Sequence, residues 1–147
     1  MRLSDHIVRG RRIQYKMQKA VAKISLRTIE ENALYFKNRT GAKLCAVVKD
    51  DAYGHGAAEV AVALHEIADC FAVSNIDEAA ALQSATDKDI LILTPPANEA
   101  EAKEIALRGC IMSVDSACVA CFAASAAAFL NRLSACGKPY GEKSEEK

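Results

Sequence analysis

From residue 42 onward, short apolar runs alternate with stretches in which apolar residues recur every three or four positions. Short runs rich in valine, isoleucine and leucine predict strands, and the longer spacing predicts helices. Four strands are predicted, at residues 44–49, 70–75, 89–94 and 110–114. Because about twenty residues separate each strand from the next, enough for one helix, the pattern predicts parallel β/α units with right-handed crossovers.

Polar residues at the starts of two predicted helices support this alternation. Asn75 and Asn98 each precede a glutamate, Glu78 or Glu101, by three residues. At that spacing the Asn side chain can cap the helix N-terminus while the glutamate reaches back to the backbone at the cap. Ahead of the first β/α unit, a further helix is predicted.

That first helix is predicted at residues 28–40, where Thr28 and Glu31 have the spacing of a capping box. Residues 20–26 before it, AVAKISL, are predicted to form an isolated strand.

Composition and charge limit the possible functions. The 147 residues carry 19 basic and 19 acidic side chains, so no general attraction to nucleic acid or to a membrane is predicted. No apolar stretch approaches the roughly 20 residues needed to span a bilayer, and no secretory signal is recognisable. A cytoplasmic protein is therefore expected. Its predicted divisions are a basic flexible leader at 1–19, one domain at 20–137 and a polar tail at 138–147.

In the cytoplasm the six cysteines are expected to be reduced thiols. Cys118 and Cys121 form a C-x-x-C, a pattern that occurs in redox motifs and in zinc sites. No second pair follows, and the segment is an alanine-rich predicted helix that begins after Asp115 or Ser116. Buried helix cysteines are therefore the preferred interpretation, and no metal site is predicted.

The predicted first strand ends in a lysine. Alternation places Cys45, Val47 and Lys49 on one face, so Lys49 is expected to point the same way as buried apolar residues. It lies at the carboxyl end of the strand, where β/α proteins place their sites. Partial burial favours the neutral amine, which is a nucleophile toward carbonyl groups, as in a Schiff-base lysine. An ion-paired structural lysine is the alternative.

The segment after Lys49, a predicted loop, suits a phosphorylated aldehyde. Tyr53 offers a hydroxyl donor, and Gly54 and Gly56 allow backbone amides to approach an anion closely. His55, between the two glycines, either donates to that network or packs.

The string LCAVVKDDAYGHGA resembles the signature of the alanine racemase family, A-V-V-K-A-[ND]-A-Y-G-H-G. The segments AVAKISLRTIEENALYFKNRTGAK, ADCFAVSNIDEAAALQ and DILILTPP are similar to the family's successive first segments, so the resemblance covers residues 20–136. It implies an α/β fold: the N-terminal half of a (β/α)8 TIM-type barrel that binds pyridoxal 5′-phosphate. Asp50 departs from the alanine that is common in the family; it either faces solvent or acts electrostatically on Lys49.

The resemblance also implies roles for individual residues. Lys49 takes the place of the lysine that carries the cofactor and serves as the base for the D-amino acid, and Tyr53 that of the tyrosine that binds the cofactor phosphate. Val47, Leu91 and Leu93 match apolar wall positions beside the cofactor. The implied function is interconversion of L- and D-alanine, which supplies D-alanine for peptidoglycan, by a homodimer that takes a small amino acid as substrate.

Other features of the family lie beyond residue 147, namely the tyrosine that is the second base, the arginine at the cofactor ring nitrogen and most of the phosphate contacts. The chain is therefore expected to be inactive alone, and marginally stable or self-associating along open sheet edges. Two alternatives remain open: a racemase of serine or of several amino acids, and a noncatalytic fragment that binds the cofactor or assembles with a complementary half.

Overall fold

A computed structural model of the protein describes residues 22–135. The predicted leader at 1–19 and tail at 138–147 lie outside these residues and stay predictions. The described elements, in chain order, are α1 (Leu26–Thr40), β1 (Cys45–Val47), α2 (Lys49–Gly54), α3 (Ala57–Ala63), β2 (Cys70–Val73), α4 (Ile76–Leu82), β3 (Ile90–Ile92), α5 (Glu99–Leu107), β4 (Ile111–Met112) and α6 (Ala117–Ala135).

The four strands form one parallel sheet in the order β1-β2-β3-β4. Each strand thus lies beside its successor in the chain, with helical segments in every connection, which confirms the predicted parallel β/α units. The strands are shorter than the apolar runs that predicted them. In particular, β1 stops at Val47, so Lys49 lies just past the strand and not within it.

The two faces of the sheet have different surroundings. Side chains that point toward the helices are almost fully buried, among them Val48, Phe71, Val73, Ile90 and Ile92. The register places Cys45, Val47, Leu91 and Ile111 on the opposite face, together with Leu93 two residues after Leu91. We call this second face the open face, because Val47, Leu93 and Ile111 are 41%, 38% and 48% exposed there.

The expectation that Cys45 and Val47 lie on a buried face is therefore wrong for the part of the chain that the structure describes. It is Val48, on the other face, that packs against the helices at 3% exposure. Both faces of a parallel sheet are apolar, so alternation alone does not tell which of them is covered by helices.

The predicted caps of α4 and α5 are confirmed. The side-chain oxygen of Asn75 accepts the backbone N–H of Glu78 at 3.0 Å, and Asn98 accepts that of Glu101 at 3.0 Å. The glutamates reach one residue further back than a capping box requires: Glu78 accepts the N–H of Ser74 at 2.7 Å, and Glu101 does the same with the residue before Asn98, at 2.8 Å.

The predicted start of α1 is wrong by two residues and its predicted cap by three. The helix begins at Leu26, and the Ser25 side chain accepts the backbone N–H of Thr28 at 3.3 Å. Glu31 forms an ion pair with Arg27 at 2.9 Å and caps nothing. The predicted strand at 20–26 is also wrong where the structure describes it, because residues 22–25 are not in a strand and the next residue is helical.

The predicted burial of Cys118 and Cys121 in α6 is wrong as well. Both are exposed, because this helix packs against α5 through another of its faces, on which Val119 and Ala126 are buried. Ser116 is the residue that caps α6, since its hydroxyl accepts the backbone N–H of Val119 at 3.3 Å. Between residues 22 and 135, no cluster of three or more His, Cys, Asp or Glu side chains could hold a metal ion.

Candidate functional site

Lys49 stands where β1 has just ended, at the carboxyl edge of the sheet, and its side chain is half-buried. Among the described residues, none forms a hydrogen bond or an ion pair with its amine. The alternative of an ion-paired structural lysine is therefore not what the structure shows within this range. A lysine without a partner at the carboxyl end of a parallel strand has an amine that is available to a ligand.

The chain after Lys49 forms a left-handed turn. Asp50, Asp51, Ala52 and Tyr53 have φ between 51° and 56° and ψ between 36° and 48°, values of the left-handed α conformation. The N–H of Ala52 donates to the carbonyl oxygen of Val48 at 2.9 Å. The loop predicted here is thus a tight helical turn of the unfavourable hand, and each of its non-glycine residues costs roughly 1–2 kcal/mol.

Contacts with other elements hold this turn in place. Glu78, at the start of α4, accepts the backbone N–H of Asp50 at 3.0 Å. The carboxylate of Asp51 accepts the N–H of Ala57, at the first position of α3, at 2.8 Å. Ala52 is 6% exposed, within the hydrophobic core. The strain of the turn is therefore offset by tertiary contacts, as is common where a backbone positions a functional group.

The end of the turn is closed by its own residues. Nδ1 of His55 donates to the carbonyl oxygen of Ala52 at 2.9 Å, so His55 belongs to the hydrogen-bond network of the turn. The N–H of Gly56 donates to the carbonyl oxygen of Asp51 at 2.9 Å. The expectation that the Gly56 amide is available to an anion is therefore wrong, because this amide already has a partner.

Gly56 is nevertheless required by the geometry. Its φ is 91°, and a β-carbon added there would lie 2.5 Å from Oε2 of Glu59. That carboxylate is the end of a flexible side chain that can move aside, so the positive φ is the stronger reason for glycine here.

The structure brings several predicted site residues together. Val47 and Leu91 align in one row across the open face through Ala72 of β2, and Leu93 lies two positions after Leu91, just past the end of β3. Tyr53 is 59% exposed. It shares with Val47 a cleft of about 230 Å³ beside β1, which Lys49 does not line. Asp50 is exposed, so it faces solvent.

Sequence reasoning missed the part played by Glu78 in this site. Its spacing from Asn75 identified it as a helix-capping residue, and the structure confirms its place at the cap. Its second oxygen, however, bonds to Asp50, 28 positions earlier in the chain. No local pattern contains this contact, because it depends on β1 and β2 being neighbours.

Residues 24–133 match the family model described as alanine racemase, N-terminal domain. The chain belongs to the alanine racemase family. Over 76 residues it is 49% identical to the alanine racemase of Streptococcus pyogenes serotype M5 (strain Manfredo), an alignment that covers 50% of this chain and 21% of that protein.

Solved structures of alanine racemases from three bacteria are similar in fold. The protein of Oenococcus oeni superposes with a TM-score of 0.63 at 32% identity, over 74% of this chain and 31% of that one. The protein of Corynebacterium glutamicum has a TM-score of 0.57 at 34% identity, over 68% of this chain and 30% of that one. The protein of Clostridium difficile 630 has a TM-score of 0.62 at 32% identity, over 72% of this chain and 28% of that one.

These likenesses confirm the predicted fold class, an α/β chain that forms part of the TIM-type barrel of alanine racemases. The matched part spans about a fifth to a third of the length of these relatives. In the residues that the structure describes, every helix is too short or too polar to cross a membrane.

Proposed function

We propose that this chain supplies the cofactor lysine of a racemase that depends on pyridoxal 5′-phosphate and interconverts L- and D-alanine. The observation that carries the proposal is the half-buried Lys49, whose amine has no partner among the described residues and which a strained turn holds at the carboxyl edge of the sheet. Membership of the alanine racemase family supports it.

The residues present fit such a cofactor. A lysine amine without a partner among the described residues can bind an aldehyde, and Lys49 is such a residue. Val47, Leu91 and Leu93 give the open face an apolar surface for a flat ring. The exposed Tyr53 can offer its hydroxyl to a phosphate. The Gly56 amide does not add to this set.

In the proposed reaction Lys49 has two tasks. Its Nζ would hold the cofactor through the aldehyde group, and the same nitrogen would take a proton from the substrate Cα or return one to it. The cofactor, when bound, withdraws the electron pair that proton loss leaves on Cα.

Inversion at Cα requires a second base on the opposite side of the substrate. At the carboxyl edge of the sheet, the side chains of Glu78, His55 and Asp51 already bond to backbone groups of the turn and of α3. We therefore infer that turnover needs a group from outside these residues, such as the family's tyrosine in the second subunit of a homodimer. Alanine as substrate, peptidoglycan as destination of the product and a cytoplasmic location belong to the same proposal.

The same observation favours a second candidate, a chain that binds the cofactor without turnover. Both candidates share the Lys49 site, so the first experiment tests that site. The 147-residue chain is mixed with pyridoxal 5′-phosphate and reduced with borohydride, and its peptides are mapped by mass. We expect one pyridoxyl adduct, on Lys49; Lys49→Ala should abolish it, and Lys43→Ala, at an exposed lysine just before β1, should not.

Labelling spread evenly over surface lysines, unchanged in Lys49→Ala, would reject both candidates. Where the adduct is specific, a racemisation assay separates them. A separately produced C-terminal part of an alanine racemase is added to the chain. If the mixture then converts L- to D-alanine, the result supports the racemase. A specific adduct that never turns over supports the binding function.

A further inference from the structure

The C-x-x-C motif at the start of α6 has no part in the candidate site. The interpretation that this motif is inert depends on burial of its cysteines, yet Cys118 and Cys121 are both exposed. Exposure is one of the conditions for a reactive thiol. The structure therefore reopens the question of what this pair can do.

The two thiols lie on the same side of one helical turn. Because α6 begins at Ala117, both cysteines are within its first two turns. Residues three apart in a helix have Cβ atoms about 5–6 Å from each other. Ala120 and Ala124, which flank Cys121 on the outer surface, are exposed alanines with side chains too short to cover a sulfur atom. The pair is thus accessible to a small molecule.

On this side, α6 meets α5 only further along its length. The Ser125 hydroxyl donates to the carboxylate of Glu99, at the first position of α5. One turn later, the centroid of the Phe129 ring lies 5.7 Å from Nζ of Lys103. Both contacts advance by four residues in each helix, so the two helices run in the same direction. The cysteines precede Ser125 and therefore lie beyond the start of α5, which does not cover them.

A pair of thiols can hold a soft metal ion or exchange with a disulfide. A structural zinc ion takes four ligands, and between residues 22 and 135 no further His, Cys, Asp or Glu side chain joins this pair in a metal-binding cluster. A disulfide needs only the two sulfur atoms. The site therefore favours thiol–disulfide exchange.

Helix geometry makes such a disulfide possible but strained. Cα atoms three residues apart in a helix are about 5 Å from each other, within the range of about 4.4–6.8 Å that disulfides span. The Cβ atoms, however, have to approach to about 3.5–4.5 Å, so closure distorts the first turns of α6. Strained and exposed disulfides are the ones that are readily reduced again.

We propose that Cys118 and Cys121 form a reversible redox site that exchanges with low-molecular-weight disulfides of the glutathione class. One cysteine thiolate attacks a sulfur atom of the small disulfide, whose S–S bond breaks and releases one small thiolate. The other cysteine thiolate then attacks the sulfur of the first, and the mixed disulfide breaks to release the second small thiolate. The protein loses two electrons to the small disulfide, and the two cysteine protons pass to the released thiolates. This site is separate from Lys49 and requires no cofactor.

The test equilibrates the 147-residue chain with oxidised and reduced glutathione, stops exchange with acid and maps the peptides by mass. Cleavage by trypsin and before Asp115 yields peptide 115–132, which contains Cys118 and Cys121 and no other cysteine. With oxidised glutathione, we expect this peptide to lose two hydrogen atoms. The mixed disulfide should be roughly tenfold less abundant, because the second cysteine stands beside the first. An excess of reduced glutathione should restore the dithiol.

The variant Ala120→Cys/Cys121→Ala is the matched control. It keeps two cysteines at exposed positions but sets them two residues apart, where the side chains of a helix do not face each other. It should form roughly tenfold less internal disulfide and carry glutathione on both cysteines. Cys118→Ser and Cys121→Ser should each retain one glutathione. Helical circular dichroism should be the same for all three variants, since every changed position is exposed.

An internal disulfide that is as abundant in Ala120→Cys/Cys121→Ala as in the unmodified chain would overturn the proposal. A peptide 115–132 that stays reduced, or that carries only glutathione, would overturn it as well. So would an internal disulfide that an excess of reduced glutathione does not open, because the site would then not be reversible.

Discussion

The carboxylate of Glu78 accepts the backbone N–H of Asp50 at 3.0 Å and that of Ser74 at 2.7 Å. One side chain therefore ties the end of β2 to the turn that follows β1. Asp50 is the first of the four left-handed residues, so Glu78 binds the backbone where the left-handed conformation begins. The position of Lys49 thus depends on the second β/α unit as well as on the first.

Replacing Glu78 by alanine should loosen the turn. The change leaves two backbone N–H groups without their acceptor, so we expect the free energy of unfolding to fall by about 1–2 kcal/mol. Borohydride trapping should also lose selectivity for Lys49, because the turn no longer fixes the lysine. Urea unfolding and peptide mass mapping measure the two effects.

Glu101→Ala is the matched control for this variant. Glu101 has the same position in α5 and accepts the N–H of Ala97 at 2.8 Å, but it touches no part of the turn. It should reduce stability by about half as much, because one N–H instead of two loses its acceptor, and it should leave trapping at Lys49 unchanged. Equal trapping by Glu78→Ala and Glu101→Ala would contradict the role assigned to Glu78.

Gly56→Ala should be more destabilising than an alanine at another glycine with positive φ. The added β-carbon meets Glu59 and the backbone has a φ of 91°, so we expect a loss of about 2 kcal/mol. Gly41, at φ 65°, has no atom within 4 Å of an added β-carbon, so Gly41→Ala should cost about 1 kcal/mol. If contact with Glu59 contributes to this loss, the double variant Gly56→Ala/Glu59→Ala should recover part of the free energy of unfolding. If the effects of the two substitutions simply add, the contact does not contribute.

Asp69 should make stability depend on pH in the acid range. The backbone N–H of Leu44, at 2.7 Å, and the ammonium of Lys37, at 3.1 Å, lower the pKa of Asp69 below its ordinary 3.8. The stabilisation is therefore complete above pH 3.8 and is lost as the pH falls through the lower folded-state pKa.

Thermal unfolding of Asp69→Asn tests this dependence. At neutral pH the variant should melt a few degrees below the unmodified chain, and the difference should vanish in strong acid. Glu31→Gln, which removes the exposed ion pair with Arg27 on α1, should leave the melting temperature unchanged both at neutral pH and in strong acid. A difference that persists unchanged at low pH would show that the charge of Asp69 is not what stabilises the fold.

Cys45 should react slowly with alkylating reagents although the residue is exposed. Two effects raise the pKa of Cys45 from 9.0 to about 11. The larger is partial burial of the thiol, and the smaller is a hydrogen bond with Cys70. At neutral pH it then carries about a hundredfold less thiolate than an ordinary cysteine. Timed iodoacetamide labelling with mass mapping should show Cys118 and Cys121 modified first.

Cys70→Ala removes the hydrogen-bond partner and should speed labelling of Cys45. Unfolding in guanidinium should make Cys45, Cys118 and Cys121 react alike. If iodoacetamide labels Cys45 as fast as Cys118 and Cys121 in the folded chain, the Cys45 thiol does not have the raised pKa.

The features that sequence predicted correctly are those set by nearby residues. Asn75 and Asn98 cap their helices through contacts that span three positions, and the order of strands and helices follows from hydrophobic spacing. The start of α1 was misplaced because Ser25 and Thr28 stand three residues apart, as do Thr28 and Glu31, and both pairs suit a cap.

The left-handed turn could not be predicted, for a physical reason. Asp, Ala and Tyr have no local preference for four successive left-handed residues, so the conformation exists only because Glu78 and the core around Ala52 stabilise it. The lysine itself was identified from its motif. Its lack of a partner among the described residues, and the open face beside it, became visible only in three dimensions.

The order β1-β2-β3-β4 also bears on how the protein folds. Each strand pairs with its successor, 19 to 25 residues later in the chain, so the sheet can grow by one unit at a time. The turn after Lys49 is an exception, since Glu78 reaches it only when the second unit has docked. In pulsed hydrogen exchange during refolding, the amide of Asp50 should therefore gain protection together with α4, after β1 has formed: the lysine is positioned late, by a part of the chain made after it.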